Sequence, residues 1–176
     1  MLKYLKRIDE KVLNWINVSI RNKTFDKIMP IITAAGNLGI VWVVISVLLI
    51  AKSDYRLLGK MIITSLIITT IVGEGIIKNI VKRKRPFCDN EDKELLINRP
   101  ITYSFPSGHT ASSFAVAAVF IETENGASFE IIVLASLIAF SRVYLGVHYP
   151  SDVLGGGVIG FLCGILTVIL FLGKLY

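Results

Sequence analysis

Long uncharged apolar runs limit what this chain can fold into. Residues 28–51 and 153–173 contain no charged side chain, and each run is long enough for an α-helix to cross the hydrocarbon core of a bilayer. Residues 57–81 and 131–149 are similar, with only a few charges. Helices of a soluble domain show a polar face at helical spacing, and these runs show none. The pattern therefore predicts an integral membrane protein.

Two shorter segments complete the predicted bundle. The run 109–121 is uncharged after its histidine, and a thin or tilted crossing from Ser107 to about Glu124 would fit it. Residues 8–20 repeat apolar side chains at helical spacing around Trp15, which suits a helix in the membrane interface and is compatible with packing against the bundle. We predict an all-α, polytopic membrane bundle of about five transmembrane helices, preceded by an interfacial helix within residues 1–27. One domain would cover residues 1–176.

Charge and cysteine usage narrow the choice of partners. The net charge of +6 is concentrated in the N-terminal segment and in Lys82–Arg85. A basic patch beside a membrane favours lipid headgroups or anionic substrates over nucleic acid. The two cysteines, Cys88 in a polar loop and Cys163 in the middle of a span, are poorly placed for a disulfide and match no metal-ligand spacing.

The chain has only two histidines, His109 and His148, and both fall among residues that handle phosphate. If each apolar run crosses the membrane once, the polar loop 82–106 and the turn near His148 lie at the same membrane face. The residues expected to meet there are Lys78, Arg85, Ser107, His109, Arg142, His148 and Asp152. In the last span, Gly156, Gly160 and Gly164 recur every fourth position, which favours close helix packing within the chain over a dimer interface.

The cationic residues of this group suit a phosphoryl ligand. Arginine donors match phosphate oxygens and lysine adds a point charge. Arg142 lies inside an apolar run, where a charge is costly and usually functional. Ser107 and Gly108 directly precede a helical run, where free amides and the helix dipole form an anion site. Glu74 lies one helical turn before Lys78 and is expected to pair with it.

The histidines suit nucleophilic and acid–base roles. His148 and Asp152 are four residues apart, so the carboxylate can fix one ring nitrogen and leave the other free to attack. His109 is then free to protonate a leaving oxygen. A serine–histidine–aspartate hydrolase is the competing arrangement, and it fits less well because three cationic groups suit a phosphoryl transition state better than an acyl one.

Three motifs between Lys78 and Asp152 resemble the signature motifs of the type 2 phosphatidic acid phosphatase (PAP2) superfamily. They read Lys78-(six residues)-Arg85-Pro86, Pro106-Ser107-Gly108-His109 and Ser141-Arg142-(five)-His148-(three)-Asp152. The resemblance implies a membrane phosphatase that uses no metal and no cofactor. His148 would form a phosphohistidine, Asp152 would orient it, and His109 would act as acid and then base. The phosphoryl oxygens would be held by Lys78, Arg85, Ser107, Gly108 and Arg142, with Glu74, Pro86, Pro106 and Ser141 in support.

The resemblance also implies a lipid substrate whose tail stays in the bilayer. Undecaprenyl diphosphate is our first choice, with phosphatidylglycerophosphate, phosphatidate and lipid A as alternatives. A transporter that binds phosphate lipids without turnover is a competing class, and a vanadate haloperoxidase is a third. The family usually places its site on the extracytoplasmic face, whereas the lysine and arginine count favours the cytoplasm. We expect the extracytoplasmic face, because several of those charges are candidate substrate ligands. The sequence does not indicate an oligomeric state.

Overall fold

The computed structural model describes residues 2–89 and 94–173, and those residues form helices, turns and loops without a β-strand. The α-helices are α1 (Leu2–Trp15), α2 (Lys23–Ala35), α3 (Ile40–Ala51), α4 (Arg56–Thr70), α5 (Lys78–Val81), α6 (Gly108–Glu122), α7 (Ser128–Tyr144) and α8 (Pro150–Leu172). Two π-helical segments, Ile16–Ile20 and Ile71–Ile77, continue α1 and α4. Met1, residues 90–93 of the predicted active-site loop and residues 174–176 lie outside the described residues. The predicted all-α bundle is confirmed.

The long helices agree with a membrane location. Among the described residues, Ser53–Cys88 and Pro150–Leu172 are long and apolar enough to cross a bilayer, and α2 with α3 would form a third crossing bent by 47°. The other two predicted spans correspond to α6 and α7, with 15 and 17 residues. Both are shorter than the usual 20 or so residues of a straight crossing. The length and composition of the longer helices thus agree with a bundle that crosses a membrane.

Helix α6 lies at the centre of the bundle, against α4, α7 and α8. Small side chains make this packing close, because a Cβ on Gly160 or Gly164 of α8 would overlap the backbone carbonyl oxygens of Ala111 or Ala115. Such contacts between backbones are the usual purpose of glycines at four-residue spacing. The prediction that these glycines serve packing within the chain is confirmed.

The first predicted span is broken, although its apolar sequence predicts a continuous helix. Helix α2 ends at Ala35 and α3 begins at Ile40, with Leu38 and Gly39 at φ 51° and 67°. A Cβ on Gly36 would lie 2.8 Å from both His109 Cδ2 and Ile138 Cγ2. The bend therefore brings the backbone at Gly36 against the first residues of α6.

Helix α1 packs against the bundle with one face and exposes the other. Leu13 is buried in a cluster with Met29, Phe87 and Tyr144, whereas Trp15 is 57% exposed. This arrangement fits both expectations for the N-terminal helix, interfacial position and docking on the bundle.

Candidate active site

A cavity of about 1060 Å³ opens between the α2–α3 bend, the segment Ile71–Ile77, the start of α6 and the turn before α8. Part of its lining consists of charged and imidazole side chains and a helix-starting glycine, contributed by Glu74, Lys78, Arg85, Gly108, His109, Arg142 and His148. Apolar residues of the lining include Pro30, Ala34, Leu38, Val43, Leu66, Ile67 and Ile71. The cavity thus combines cationic groups with apolar surface suited to a hydrocarbon chain.

A tight turn places His148 at this cavity. Helix α7 ends at Tyr144 and not at the predicted Tyr149, because Gly146 adopts φ 66° and reverses the chain. The amides of Val147 and His148 donate to the carbonyl oxygen of Arg142 at 3.2 and 3.3 Å. His148 and Arg142 therefore keep a fixed relative position.

His148 is 2% exposed and held as a neutral imidazole. Arg85 Nη1 lies 3.1 Å from its Nε2, and since arginine can only donate, Nε2 accepts and the ring proton resides on Nδ1. Burial lowers the pKa of His148 to about 3; the Asp152 carboxylate opposes the shift, while the positive charges of Arg85 and Arg142 add to it. Nε2 thus carries the lone pair that a nucleophile needs.

Arg85 uses all of its donors inside the protein. Besides His148, its guanidinium donates to the carbonyl oxygens of Val147, Thr102 and Tyr103 at 2.8, 2.7 and 3.2 Å, and to Thr102 Oγ1 at 3.2 Å. A guanidinium has five N–H groups, and these contacts occupy every one. Arg85 therefore ties the loop before α6 to the turn before α8.

Arg142 has donors to spare. It is 3% exposed, and Nη1 donates to Thr33 Oγ1 at 2.5 Å. Its Nε finds no hydrogen-bond partner among the described residues. Arg142 lines the cavity, and a guanidinium there is suited to an anionic oxygen.

Lys78 and Glu74 form a close ion pair at the cavity wall. Lys78 Nζ donates to both carboxylate oxygens of Glu74 at 2.6 and 2.7 Å and to Thr102 Oγ1 at 3.2 Å. Glu74 Oε1 also stands where a Cβ on Gly108 would be. The carboxylate thus lies beside both a lysine and the start of α6, two places where an anion is stabilised.

The start of α6 is built from the second motif. Ser107 is fully buried and its hydroxyl accepts from Thr110 Oγ1 at 3.0 Å. Its amide donates to the carbonyl oxygen of Asp152 at 3.1 Å. The next residue, Gly108, opens the helix, and the first amides of a helix have no partner within it. Gly108 and His109 line the cavity, so this helix start is a candidate anion site.

His109 is oriented by a residue that was not predicted from the sequence. Its Nε2 lies 2.9 Å from Asn37 Oδ1, and because the amide oxygen only accepts, Nε2 carries a proton. Asn37 belongs to the unpredicted break between α2 and α3. The Gly-Asn-Leu-Gly sequence in an apolar run, rich in turn-forming residues, is the feature that could have indicated it.

Asp152 stands behind His148 and is fully buried. Its Oδ2 accepts from Ser104 Oγ at 2.5 Å and from the Tyr149 amide at 2.9 Å, and lies 3.7 Å from His148 Nδ1. Its Oδ1 accepts from Arg83 Nη1 at 2.7 Å. The carboxylate thus faces the protonated ring nitrogen without a direct hydrogen bond. Neither Ser104 nor Arg83 was predicted as a site residue.

The remaining predicted residues lie away from the cavity. Ser141 is buried and its hydroxyl donates to the carbonyl oxygen of Ile138 at 2.6 Å within α7. Pro86 begins the short helical turn Pro86–Asp89, and Pro106 precedes the buried Ser107.

Within the described ranges, no group of three or more histidine, cysteine, aspartate and glutamate side chains is arranged to hold a metal ion.

The arrangement matches a known family. Residues 54–175 match the family model described as the PAP2 superfamily. The chain belongs to the PAP2 superfamily. An undecaprenyl-diphosphatase of Sulfolobus acidocaldarius is 33% identical over 129 residues, which is 73% of this chain and 62% of that protein. The chain therefore spans less than two thirds of this relative's length.

Two solved structures share the fold. The crystal structure of Aquifex aeolicus LpxE has a TM-score of 0.77 and 29% identity, covering 90% of this chain and 93% of that one. A transmembrane PAP2-type phosphatidylglycerolphosphate phosphatase from Bacillus subtilis has a TM-score of 0.75 and 25% identity, covering 93% and 84%. The bundle of this PAP2 chain is thus shared with a transmembrane PAP2-type phosphatase.

Proposed function

We propose that this PAP2 protein is a membrane phosphatase that hydrolyses lipid phosphates or diphosphates through a phosphohistidine. One observation carries the proposal: the same cavity is lined by His148, whose Nε2 is unprotonated, by Arg142 and by apolar side chains. A phosphate bound beside the cationic residues would leave its lipid tail along the apolar residues and toward the bilayer.

The proposed first step forms the phosphohistidine. The lone pair of His148 Nε2 attacks phosphorus while the bond to the leaving oxygen breaks, and His109 gives that oxygen a proton. Negative charge on the phosphoryl oxygens is stabilised by Arg142, by Lys78 and by the first amides of α6. Arg85 and Ser107 would assist, Arg85 by turning its Nη1 hydrogen from Nε2 to a phosphoryl oxygen.

The proposed second step releases phosphate. His109, now neutral, takes a proton from water, whose oxygen attacks phosphorus. The bond between phosphorus and Nε2 breaks and its electron pair returns to the ring, so His148 is restored. Asp152 opposite Nδ1 stabilises the positive charge that the ring carries while phosphorylated.

Our preferred reaction is undecaprenyl diphosphate to undecaprenyl phosphate. The name of the Sulfolobus relative supports a polyprenyl diphosphate. The alternatives phosphatidylglycerophosphate, phosphatidate and lipid A are kept because a phosphatidylglycerolphosphate phosphatase and a 28% identical lipid A 4'-phosphatase of Bacteroides thetaiotaomicron are also similar to this chain. All share a phosphate at the end of a bilayer-anchored tail.

Phosphate release from purified protein tests the proposal. The panel would contain polyprenyl diphosphate and monophosphate, phosphatidylglycerophosphate, phosphatidate and lipid A in mixed micelles. We expect release from the polyprenyl diphosphate at the highest rate and loss of release in His148→Ala. Lipid binding that survives His148→Ala, with no release by the wild type, would instead support a transporter.

We further propose that the site faces the extracytoplasmic side, as expected from the family. The structure offers a native reporter, because Cys88 is exposed in the loop after α5 whereas Cys163 is buried. A membrane-impermeant maleimide should label intact cells, and Cys88→Ser should abolish the labelling. Labelling only after permeabilisation would place the site in the cytoplasm.

A further inference from the structure

A buried carboxylate on the N-terminal helix reaches the residues behind the nucleophile. Asp9 of α1 is 1% exposed. It accepts from Arg83 Nη2 at 2.7 Å, from the Ser151 amide at 3.0 Å and from Ser151 Oγ at 2.6 Å. A carboxylate this deeply buried destabilises the fold unless such partners compensate it.

Arg83 joins this carboxylate to the one behind His148. While Nη2 binds Asp9, Nη1 donates to Asp152 Oδ1 and to Ser151 Oγ, both at 2.7 Å. The guanidinium also lies over the ring of Tyr149, 4.1 Å from its centroid. One planar side chain therefore bridges Asp9 and Asp152, a geometry that lysine cannot reproduce.

The bridge fixes which oxygen of Asp152 meets the histidine. With Oδ1 bound to Arg83, Oδ2 is left to accept from Ser104 and the Tyr149 amide and to face His148 Nδ1. The charge that the carboxylate presents to the ring is reduced by the guanidinium on its other side, and the charge of the guanidinium is balanced in turn by Asp9.

We propose that Asp9 and Arg83 are positioning residues of the reaction: the docked N-terminal helix supplies the carboxylate that holds Arg83 on Asp152, and so sets the orientation and basicity of His148. The inference rests on the proposed function for the role of His148 as nucleophile. It assigns to α1 a part in the active site beyond attachment to the membrane or the bundle.

The two histidines allow a direct test, because ¹⁵N-histidine labelling gives signals from His109 and His148 alone. The charged or titratable groups around His148 are Asp152 on α8, Arg85 after α5, Arg142 on α7 and His109 on α6. All are retained in the Asp9 and Arg83 variants. The signal that disappears in His148→Ala belongs to His148.

Opposite shifts are expected from the two ends of the bridge. Arg83→Gln removes a cation next to Asp152, favours the protonated ring and raises the pKa of His148. Asp9→Asn leaves the charge of the guanidinium unbalanced and lowers the pKa of His148. Glu10→Gln, which removes the same charge from an exposed position of α1, should leave the pKa of His148 unchanged. A bridge that only attaches α1 predicts no shift in any of them, and that result would overturn the inference.

Kinetics provide the second readout. Asp9→Asn and Arg83→Gln should lower kcat roughly ten- to hundredfold, the equivalent of one charge-assisted hydrogen bond, with KM for the lipid unchanged. Arg83→Lys should keep the pKa of His148 near its original value and still lose kcat, and Asp9→Glu should recover part of the rate. If Asp9→Asn does not accumulate in membranes, these two conservative variants decide the matter.

The outcomes separate the two proposals. A wild type without phosphatase activity, or an active His148→Ala, contradicts the proposed function whatever the titrations show. An active wild type and inactive His148→Ala, combined with normal kcat and unshifted titration in both bridge variants, contradicts the role of the bridge alone.

Discussion

Arg85 Nη1 donates to His148 Nε2 across 3.1 Å, so the nitrogen proposed to attack phosphorus is covered by a guanidinium hydrogen. The other four N–H groups of Arg85 bind Val147, Thr102 and Tyr103. Arg85 can therefore release Nε2 without losing its position, and the same hydrogen is then available to a phosphoryl oxygen. Arg142, whose Nε has no hydrogen-bond partner among the described residues, does not join these loops.

The two arginines should respond differently to substitution by alanine. Arg85→Ala removes five hydrogen bonds and should lower the thermal midpoint by several degrees, about 2–4 °C for each 1 kcal/mol lost. Arg142→Ala should have the smaller effect on the midpoint and weaken orthovanadate binding at least tenfold, since a charge-assisted hydrogen bond is lost. Thermal unfolding measures the effect on stability, and vanadate inhibition measures the effect on anion binding. Equal effects of the two substitutions on stability would contradict this division.

His109 should matter most where the leaving group is poor. An alcohol leaving a phosphomonoester needs a proton, whereas a phosphate leaving a diphosphate is already stable as an anion. We expect His109→Ala to slow hydrolysis of a monophosphate by about 10²–10⁴-fold and to impair formation of the phosphohistidine from a diphosphate much less.

The intermediate itself provides the measurement for His109. With a ³²P-labelled diphosphate lipid, His109→Ala should accumulate protein-bound label that is stable in alkali and lost in acid, because the second step lacks its base. His148→Ala should carry no label. The division of roles would be wrong if monophosphate and diphosphate turnover fell by the same factor without accumulation of label.

Much of the fold could be predicted because apolar runs and motif spacing are local properties of the sequence. The charge-free runs identified the helices, and topology predicted that Lys78, Arg142 and His148 would meet. The exact ends of helices were harder to predict. The run to Tyr149 concealed a helix end at Tyr144, because the turn depends on Gly146 at positive φ and on the carbonyl oxygen of Arg142.

The unpredicted site residues all act through contacts between distant segments. Asn37 reaches His109 across 72 residues and Asp9 reaches Ser151 across 142. Arg83 lies in the basic run 82–85, which was assigned to lipid headgroups or anionic substrates. Two guanidiniums of that run turn inward, and only that of Arg85 belongs to a recognised motif. Such pairings depend on helix packing, which residue spacing along the chain does not encode.

Asn37 should affect catalysis through His109. Asn37→Ala removes the acceptor at His109 Nε2 and leaves the ring free to rotate, so monophosphate turnover should fall by about tenfold, the equivalent of a hydrogen bond at the upper end of the usual range. Asn98→Ala, at another residue of the same cavity wall, is the control. Unchanged turnover in Asn37→Ala would show that Asn37 only shapes the bend.

Acid should destabilise the protein through His148. Its folded pKa is lowered to about 3, whereas the unfolded chain protonates near 6.5. Between these values the unfolded state binds a proton that the folded state does not. Stability is therefore complete above about pH 6.5 and is lost as the pH falls toward 3. The thermal midpoint of the wild type should fall more between pH 7.5 and 5 than that of His148→Gln. Equal falls would contradict a depressed pKa.

Close packing between α6 and α8 predicts a contrast between two neighbouring glycines. A Cβ on Gly160 would overlap the backbone of Ala111, whereas one on Gly157 would make ordinary contacts of 3.8 Å with Phe114. Gly160→Ala should therefore cost about 1–3 kcal/mol or more. Gly157→Ala should be neutral or stabilising, because alanine is favoured over glycine in helices by about 1 kcal/mol. Thermal unfolding decides, and a tolerated Gly160→Ala would contradict the backbone contact.

Glu74 competes with phosphate for the same partners. Its carboxylate binds Lys78 Nζ with both oxygens and lies against Gly108 at the start of α6. Glu74→Gln keeps the shape and removes the charge, so orthovanadate should bind about fivefold more tightly, the equivalent of roughly 1 kcal/mol of repulsion between partly exposed charges. Glu130→Gln, at an exposed position of α7, should not change vanadate inhibition. Weaker inhibition in Glu74→Gln would show that the carboxylate chiefly holds Lys78 in place, so the direction of the change distinguishes competition with the ligand from support of the lysine.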